Sequence, residues 1–230
     1  MSDFYYDGDS FSCTLPTGQT KTTGHILSSR FGYDMKHYGF SGKAPSQIIR
    51  SAMRHSFDNK DAFMCIGIGT YDRLEYHSDE YIPVNHPFDF HESEECIHPL
   101  RGVDLSRLTV GDELFEMFHW QYLETQLLLN LVALHDFLMY NNINFVIHNL
   151  GMNFSKFAKK NEFPFAVGVK AQIDDRPRIL NFYKDSLHNL MLDKNIKGYD
   201  YNLYKEWAHP DEHGHAMYAD YLWEEIQQYV

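Results

Sequence analysis

The chain has 230 residues, 43% of them apolar, enough to bury a sizeable core in a single α/β domain spanning 1–230. A formal charge of −12 excludes the positive field that gathers phosphates, so nucleic acid is not an expected partner. No apolar run is long enough to span a membrane, and the opening Met1-Ser2-Asp3-Phe4-Tyr5-Tyr6-Asp7 lacks the basic start and apolar centre of a secretory signal, which predicts a soluble, cytoplasmic protein.

Phe4 to Tyr6 is a short apolar run that breaks at Asp7-Gly8-Asp9-Ser10, the pattern of a first strand ending in a tight turn. Thr22 to Arg30 reads as a short helix, Tyr33 to Phe40 as a second strand, and Ser46 to Phe57 as a helix with Ile48, Ile49 and Met53 on one side. Ala62 to Ile68 is continuously apolar, as expected of a central parallel strand covered on both faces.

The longest helical pattern runs from Gly111 to Tyr140, with Leu114, Phe118, Leu127, Leu131, Leu134 and Leu138 near helical spacing, and Asn141-Asn142 ends it. Ile143 to Ile147 follows as a buried strand, Arg178 to Phe182 as a fifth, and Asp211 to Tyr229 as the last helix. Strands alternating with helices favour a parallel sheet between helical layers.

His77 to Asp112 fits neither period and holds Pro83, Pro87 and Pro99, which argues against a long helix or a central strand. This long insertion, 77–112, reads either as an ordered cover over a site or as a packed surface excursion. Cys13, Cys65 and Cys96 form neither a disulfide framework nor zinc-site doublets, and they read as core thiols in a reducing compartment.

Cleaving an ester with a serine requires four parts: a hydroxyl on a constrained turn, an imidazole to take its proton, an acid to orient that imidazole, and donors aimed at the developing oxyanion. Gly8-Asp9-Ser10-Phe11-Ser12 directly follows the first strand, which places Ser10 at the C-terminal edge of the sheet, where open α/β folds bind ligands. Near the other end, Glu206-Trp207-Ala208-His209-Pro210-Asp211-Glu212-His213-Gly214-His215 leads into the last helix.

This combination resembles the SGNH (GDSL) hydrolases, whose nucleophile lies in an early Gly-Asp-Ser segment and whose acid and base lie in a late Asp-x-x-His segment. The resemblance implies a three-layer α/β/α, flavodoxin-like domain with a central parallel sheet of about five strands. It implies Ser10 as nucleophile, His209 as base and Glu206 at the family's aspartate position, one methylene longer than the usual acid. It implies the backbone N–H groups of Ser10 and Gly42 as oxyanion donors. The family's third block reads Gly-x-Asn-Asp, whereas this chain has Gly69-Thr70-Tyr71-Asp72-Arg73. The asparagine is therefore absent, and Thr70 or Tyr71 is left to supply a hydroxyl donor; losing one such donor costs roughly 3 to 4 kcal/mol of transition-state stabilisation.

Asp9 reads as a turn-stabilising or capping residue. Asp72 and Arg73 read either as a structural ion pair or as substrate-binding residues. Neither cofactor nor metal is called for by this chemistry. Two other readings stay open: a metal-dependent hydrolase using His209, His213 and His215 with Asp211 nearby, and a glycan- or ester-binding module that keeps the fold without the catalysis. For the hydrolase, the expected partner is a small-molecule or carbohydrate acyl ester. The aromatic residues of 77–112 suit stacking on sugar rings and favour an acetylated carbohydrate.

Overall fold

The computed structural model describes residues 2–13, 21–40, 43–69, 73–75, 102–104, 120–151, 168, 171–180, 182, 186–198 and 208–230, with only the backbone described at 73–75, 102–104 and 120–124. Strands β1 (Asp3–Asp7), β2 (Asp34–His37), β3 (Phe63–Ile68) and β6 (Asn144–Asn149) form a parallel sheet in the order β2-β1-β3-β6. Two short strands, β4 (Arg73–Glu75) and β5 (Gly102–Asp104), pair antiparallel with each other. β5 falls within the long insertion anticipated from the prolines; the rest of that segment lies outside the described residues.

The helices are α1 (Thr23–Phe31), α2 (Pro45–Asp58), α3 (Trp120–Tyr140), α4 (Leu187–Asp193) and α5 (Glu212–Ile226). Side chains alternate across the central strands, and both faces are covered. On one face, Tyr5, Met64, Ile66, Ile68, Phe145 and Ile147 pack with α2 and α3 through Ile48, Ala52, Leu127, Leu131, Leu134 and Leu138. On the other, Phe4, Tyr6, Phe63, Cys65 and Val146 pack with α1, α4 and α5 through Leu27, Leu187, Met191, Tyr218 and Leu222. Each buried Leu, Ile, Val, Phe or Met among these contributes about 1.5 to 3 kcal/mol. The architecture is therefore the expected three-layer α/β/α sandwich, with each face of the sheet closed by the apolar stripe of its helices.

The long helix keeps the predicted stripe from Leu127 to Leu138 and ends at the predicted asparagines, where Asn142 takes a left-handed φ of 56°. Leu114 and Phe118 lie outside the described residues. The second strand is shorter than Tyr33 to Phe40 and, among the described residues, lies at the edge of the sheet beside β1.

The strand expected from Arg178 to Phe182 is reduced to one parallel bridge, Ile147 with Ile179. It is held by Ile147 N–H donating to Arg178 O at 2.8 Å and Leu180 N–H donating to Ile147 O at 2.8 Å. Beyond it, a side chain takes over from the ladder, since Asn149 Nδ2 donates to Phe182 O at 2.8 Å. Among the described residues, the sheet therefore has four full strands and a single-residue contact at a fifth position. No helix among the described residues is long and apolar enough to cross a membrane.

Candidate active site

The sheet order positions the site. From β1 the chain passes through α1 to β2 on one side, then through α2 to β3 on the other, so a crevice opens at the C-terminal ends of β1 and β3. The Ser10 turn follows β1, and Gly69 follows β3.

Ser10 opens a 3-10 turn, Ser10–Ser12, built by Asp9. The Asp9 carboxylate accepts from Phe11 N–H at 3.0 Å, and its carbonyl accepts from Ser12 N–H at 2.9 Å and Ser12 Oγ at 2.6 Å. Asp9 is thus the cap of this turn, as its position in the sequence indicated. Its carboxylate is fully buried and lies where a side chain on Gly69 would sit, so the glycine after β3 leaves the space that the cap occupies. The Ser10 N–H stands at the first position of the turn, where a helix offers it no internal acceptor.

His209 lies in the loop before α5, whose N-cap is Asp211; the Asp211 carboxylate accepts from Gly214 N–H at 2.8 Å. His209 precedes Pro210, and the residue before a proline is steered away from helical conformation. His209 Nε2 lies 2.9 Å from Ser10 Oγ. The Phe11 ring packs against the imidazole with centroids 4.9 Å apart, and the edge of His188 meets Phe11 from another side at 6.4 Å. A half-buried imidazole held against a ring is kept within reach of the hydroxyl.

The other histidines of the C-terminal cluster diverge. His213 is exposed, while His215 is fully buried with Nδ1 3.1 Å from Thr23 Oγ1. His209, His213 and His215 therefore do not converge, and no group of three or more His, Cys, Asp or Glu among the described residues is arranged to hold a metal ion.

Below the site, burial keeps several imidazoles neutral. His148 is pushed down to about 3 and His215 to about 4, and His37 is lowered as well, in each case chiefly by burial. His148 Nδ1 lies 3.0 Å from Tyr218 Oη, whose hydroxyl donates to Asn149 O at 2.7 Å. His148 must therefore be the donor in its contact with Tyr218, carrying its proton on Nδ1.

Of the residues singled out in the sequence, Ser10 and His209 are brought together. Gly42, Thr70, Tyr71, Asp72 and Glu206 lie outside the described residues, and Arg73 is described only as backbone in β4. Sequence motifs gave no sign of the packing of Phe11 on His209 or of a buried ion pair, Asp7 with Lys43, beside the turn. For that pair the only signals are an aspartate closing an apolar strand and a lysine directly after Gly42.

No protein-family profile matches the sequence, and no curated protein matches it. Solved structures do match in shape. A catalytic mutant of Axe2, an acetylxylan esterase from Geobacillus stearothermophilus, superposes with a TM-score of 0.56 at 12% identity, covering 98% of this chain and 94% of that one. TesA does so with a TM-score of 0.55 at 11% identity over 100% of both chains. A protein assigned to the G-D-S-L lipolytic family from Desulfitobacterium hafniense DCB-2 gives 0.51 at 12% identity, covering 98% of this chain and 100% of that one. With the parallel sheet, its two helical layers and the serine turn after β1, these likenesses establish that the chain has the α/β/α fold of the SGNH (GDSL) esterases.

Proposed function

We propose that this chain is a carboxylic-ester hydrolase with Ser10 as nucleophile and His209 as general base. The observation that carries the reading is the 2.9 Å separation of His209 Nε2 and Ser10 Oγ, at the C-terminal ends of the strands, where open α/β folds bind ligands. With the imidazole proton on Nδ1, Nε2 accepts the hydroxyl proton as Oγ attacks the ester carbonyl. The tetrahedral intermediate collapses, the leaving alcohol takes the proton from His209, and an acyl-Ser10 ester remains. Water then attacks that ester with His209 again as base, releasing the acid and restoring the serine.

In this proposal Glu206 orients His209. The oxyanion is received by Ser10 N–H, Gly42 N–H and a hydroxyl from Thr70 or Tyr71, while Asp72 and Arg73 contact substrate. The proposed substrate class is an acetylated carbohydrate, the kind of ester for which Axe2 is named, with the aromatic residues of 77–112 as the cover that stacks on sugar. A reducing, cytoplasmic setting is part of the same reading; Cys13 and Cys65 are free thiols, and burial pushes the Cys65 thiol up.

The test is covalent labelling with a fluorophosphonate, together with turnover of short aryl esters and acetylated xylo-oligosaccharides by the natural chain and by Ser10→Ala. Labelling and turnover that both vanish in Ser10→Ala support the proposal. Equal turnover by the two proteins refutes the nucleophile, and glycan binding without labelling identifies a binding module instead.

A further inference from the structure

Beside the Ser10 turn, Asp7 and Lys43 form an ion pair of 2.5 Å, with the Asp7 side chain fully buried and that of Lys43 nearly so. Three donors meet the Asp7 carboxylate: Lys43 Nζ, Tyr5 Oη at 2.5 Å and Gly8 N–H at 2.7 Å. Lys43 Nζ also donates to Tyr38 O at 3.1 Å and lies 5.2 Å from the centre of the Phe40 ring. Burial, then the Asp7 carboxylate, push the Tyr5 phenol well above its ordinary value, so it stays a donor.

A buried ion pair is a poor source of net stability, because desolvating two charges offsets much of their attraction; its best-attested use is to select one arrangement. Here the arrangement joins two backbone segments. Asp7 ends β1 three residues before Ser10, and its carboxylate holds Gly8 N–H, directly before the Asp9 cap of the Ser10 turn. Lys43 reaches the residue directly after β2, Tyr38, through its carbonyl. The segments are also in close contact at Gly39, where an added Cβ would collide with Ser12 Oγ and come within 3.2 Å of Gly8 O and 3.3 Å of Gly8 N.

We infer that Asp7 and Lys43 are a positioning pair that fixes the segment following β2 against the Ser10 turn. They thereby hold the turn that presents the Ser10 hydroxyl and N–H in one place relative to that segment. The inference rests on the hydrolase reading for its effect on rate, and on the ion pair alone for its effect on structure. Neither is assigned a contact with substrate; both act through the backbone they hold.

The test compares the full chain with Asp7→Asn, Lys43→Met and the double variant, using 4-nitrophenyl acetate turnover, melting temperature and amide hydrogen exchange over 8–12 and 38–43. Either single change strands a buried partner and can unfold the chain, so the double variant, which removes both charges, decides the matter. A misplacement of about 1 Å can cost roughly 100-fold in rate, so the double variant is expected to regain most of its melting temperature while kcat stays lowered by about 10- to 100-fold. KM should change far less, and exchange should quicken in both segments together. Recovery of kcat along with melting temperature would assign the pair a purely structural role and overturn the inference. Unchanged exchange in either segment would also overturn it, whether or not the protein hydrolyses esters. Absence of Ser10-dependent turnover in the natural chain instead removes the hydrolase reading and leaves exchange to judge the clamp.

Discussion

His209 Nε2 lies 2.9 Å from Ser10 Oγ, although 199 residues separate the two in sequence. A general base contributes about 100- to 10,000-fold to such a reaction, so His209→Ala should lower kcat on a short aryl ester by that range. The half-buried side chain adds little to the core, and the melting temperature should move only a few degrees. Steady-state kinetics and a thermal melt on one preparation check both; retention of kcat within about threefold would remove His209 as the base.

Asp211 separates the capping role from a metal-ligating one. Its carboxylate accepts the Gly214 N–H at the start of α5. Asp211→Ala should lose about 0.5 to 2 kcal/mol of stability, while Asp211→Asn, which retains a cap oxygen, should lose little. Urea denaturation reads the difference. Turnover unaltered in Asp211→Asn agrees with a cap, whereas loss of turnover reversed by added zinc would agree with a ligand.

Gly69 is constrained by space. A methyl group there would meet the Asp9 carboxylate, which is fully buried and already holds the Phe11 N–H. Gly69→Ala should therefore displace the cap of the Ser10 turn and destabilise the chain by about 1 to 3 kcal/mol, with a larger proportional loss in fluorophosphonate labelling than in folded fraction. Denaturant midpoints and labelling rates measured in parallel test this. A variant with natural stability and labelling would show that the turn tolerates the methyl.

Acid should weaken the fold through His148 and His215. Their folded values of about 3 and about 4 lie below the ordinary 6.5, chiefly because of burial. Above pH 6.5 both are neutral folded or unfolded, and they give no pH dependence. Below it the unfolded chain takes up protons that the folded chain refuses, so stability falls with pH until the folded values are reached, by up to about 1.4 kcal/mol per pH unit for each imidazole. Urea titrations between pH 7 and 4.5 should show this slope, and His148→Phe should flatten it by up to about 1.4 kcal/mol per pH unit. An identical slope in that variant would mean that other groups control the acid response.

The sequence by itself determined the local features of this protein. Continuously apolar runs such as Phe63–Ile68 mark a strand covered on both faces, the spacing of Leu127, Leu131, Leu134 and Leu138 marks a helix, and Asp7-Gly8-Asp9-Ser10 marks a turn with its own cap. These follow from side-chain periodicity and from hydrogen bonds within a few residues, which a short stretch of chain fixes alone. Only the tertiary structure decided the order β2-β1-β3-β6, the approach of His209 to Ser10, the divergence of His213 and His215, and the pairing of Asp7 with Lys43. The same limit applies to the strand expected at Arg178, where one bridge forms and a side-chain amide takes over. Each depends on groups far apart in the chain, whose attraction is realised only after the two-sided core has closed and removed water from between them.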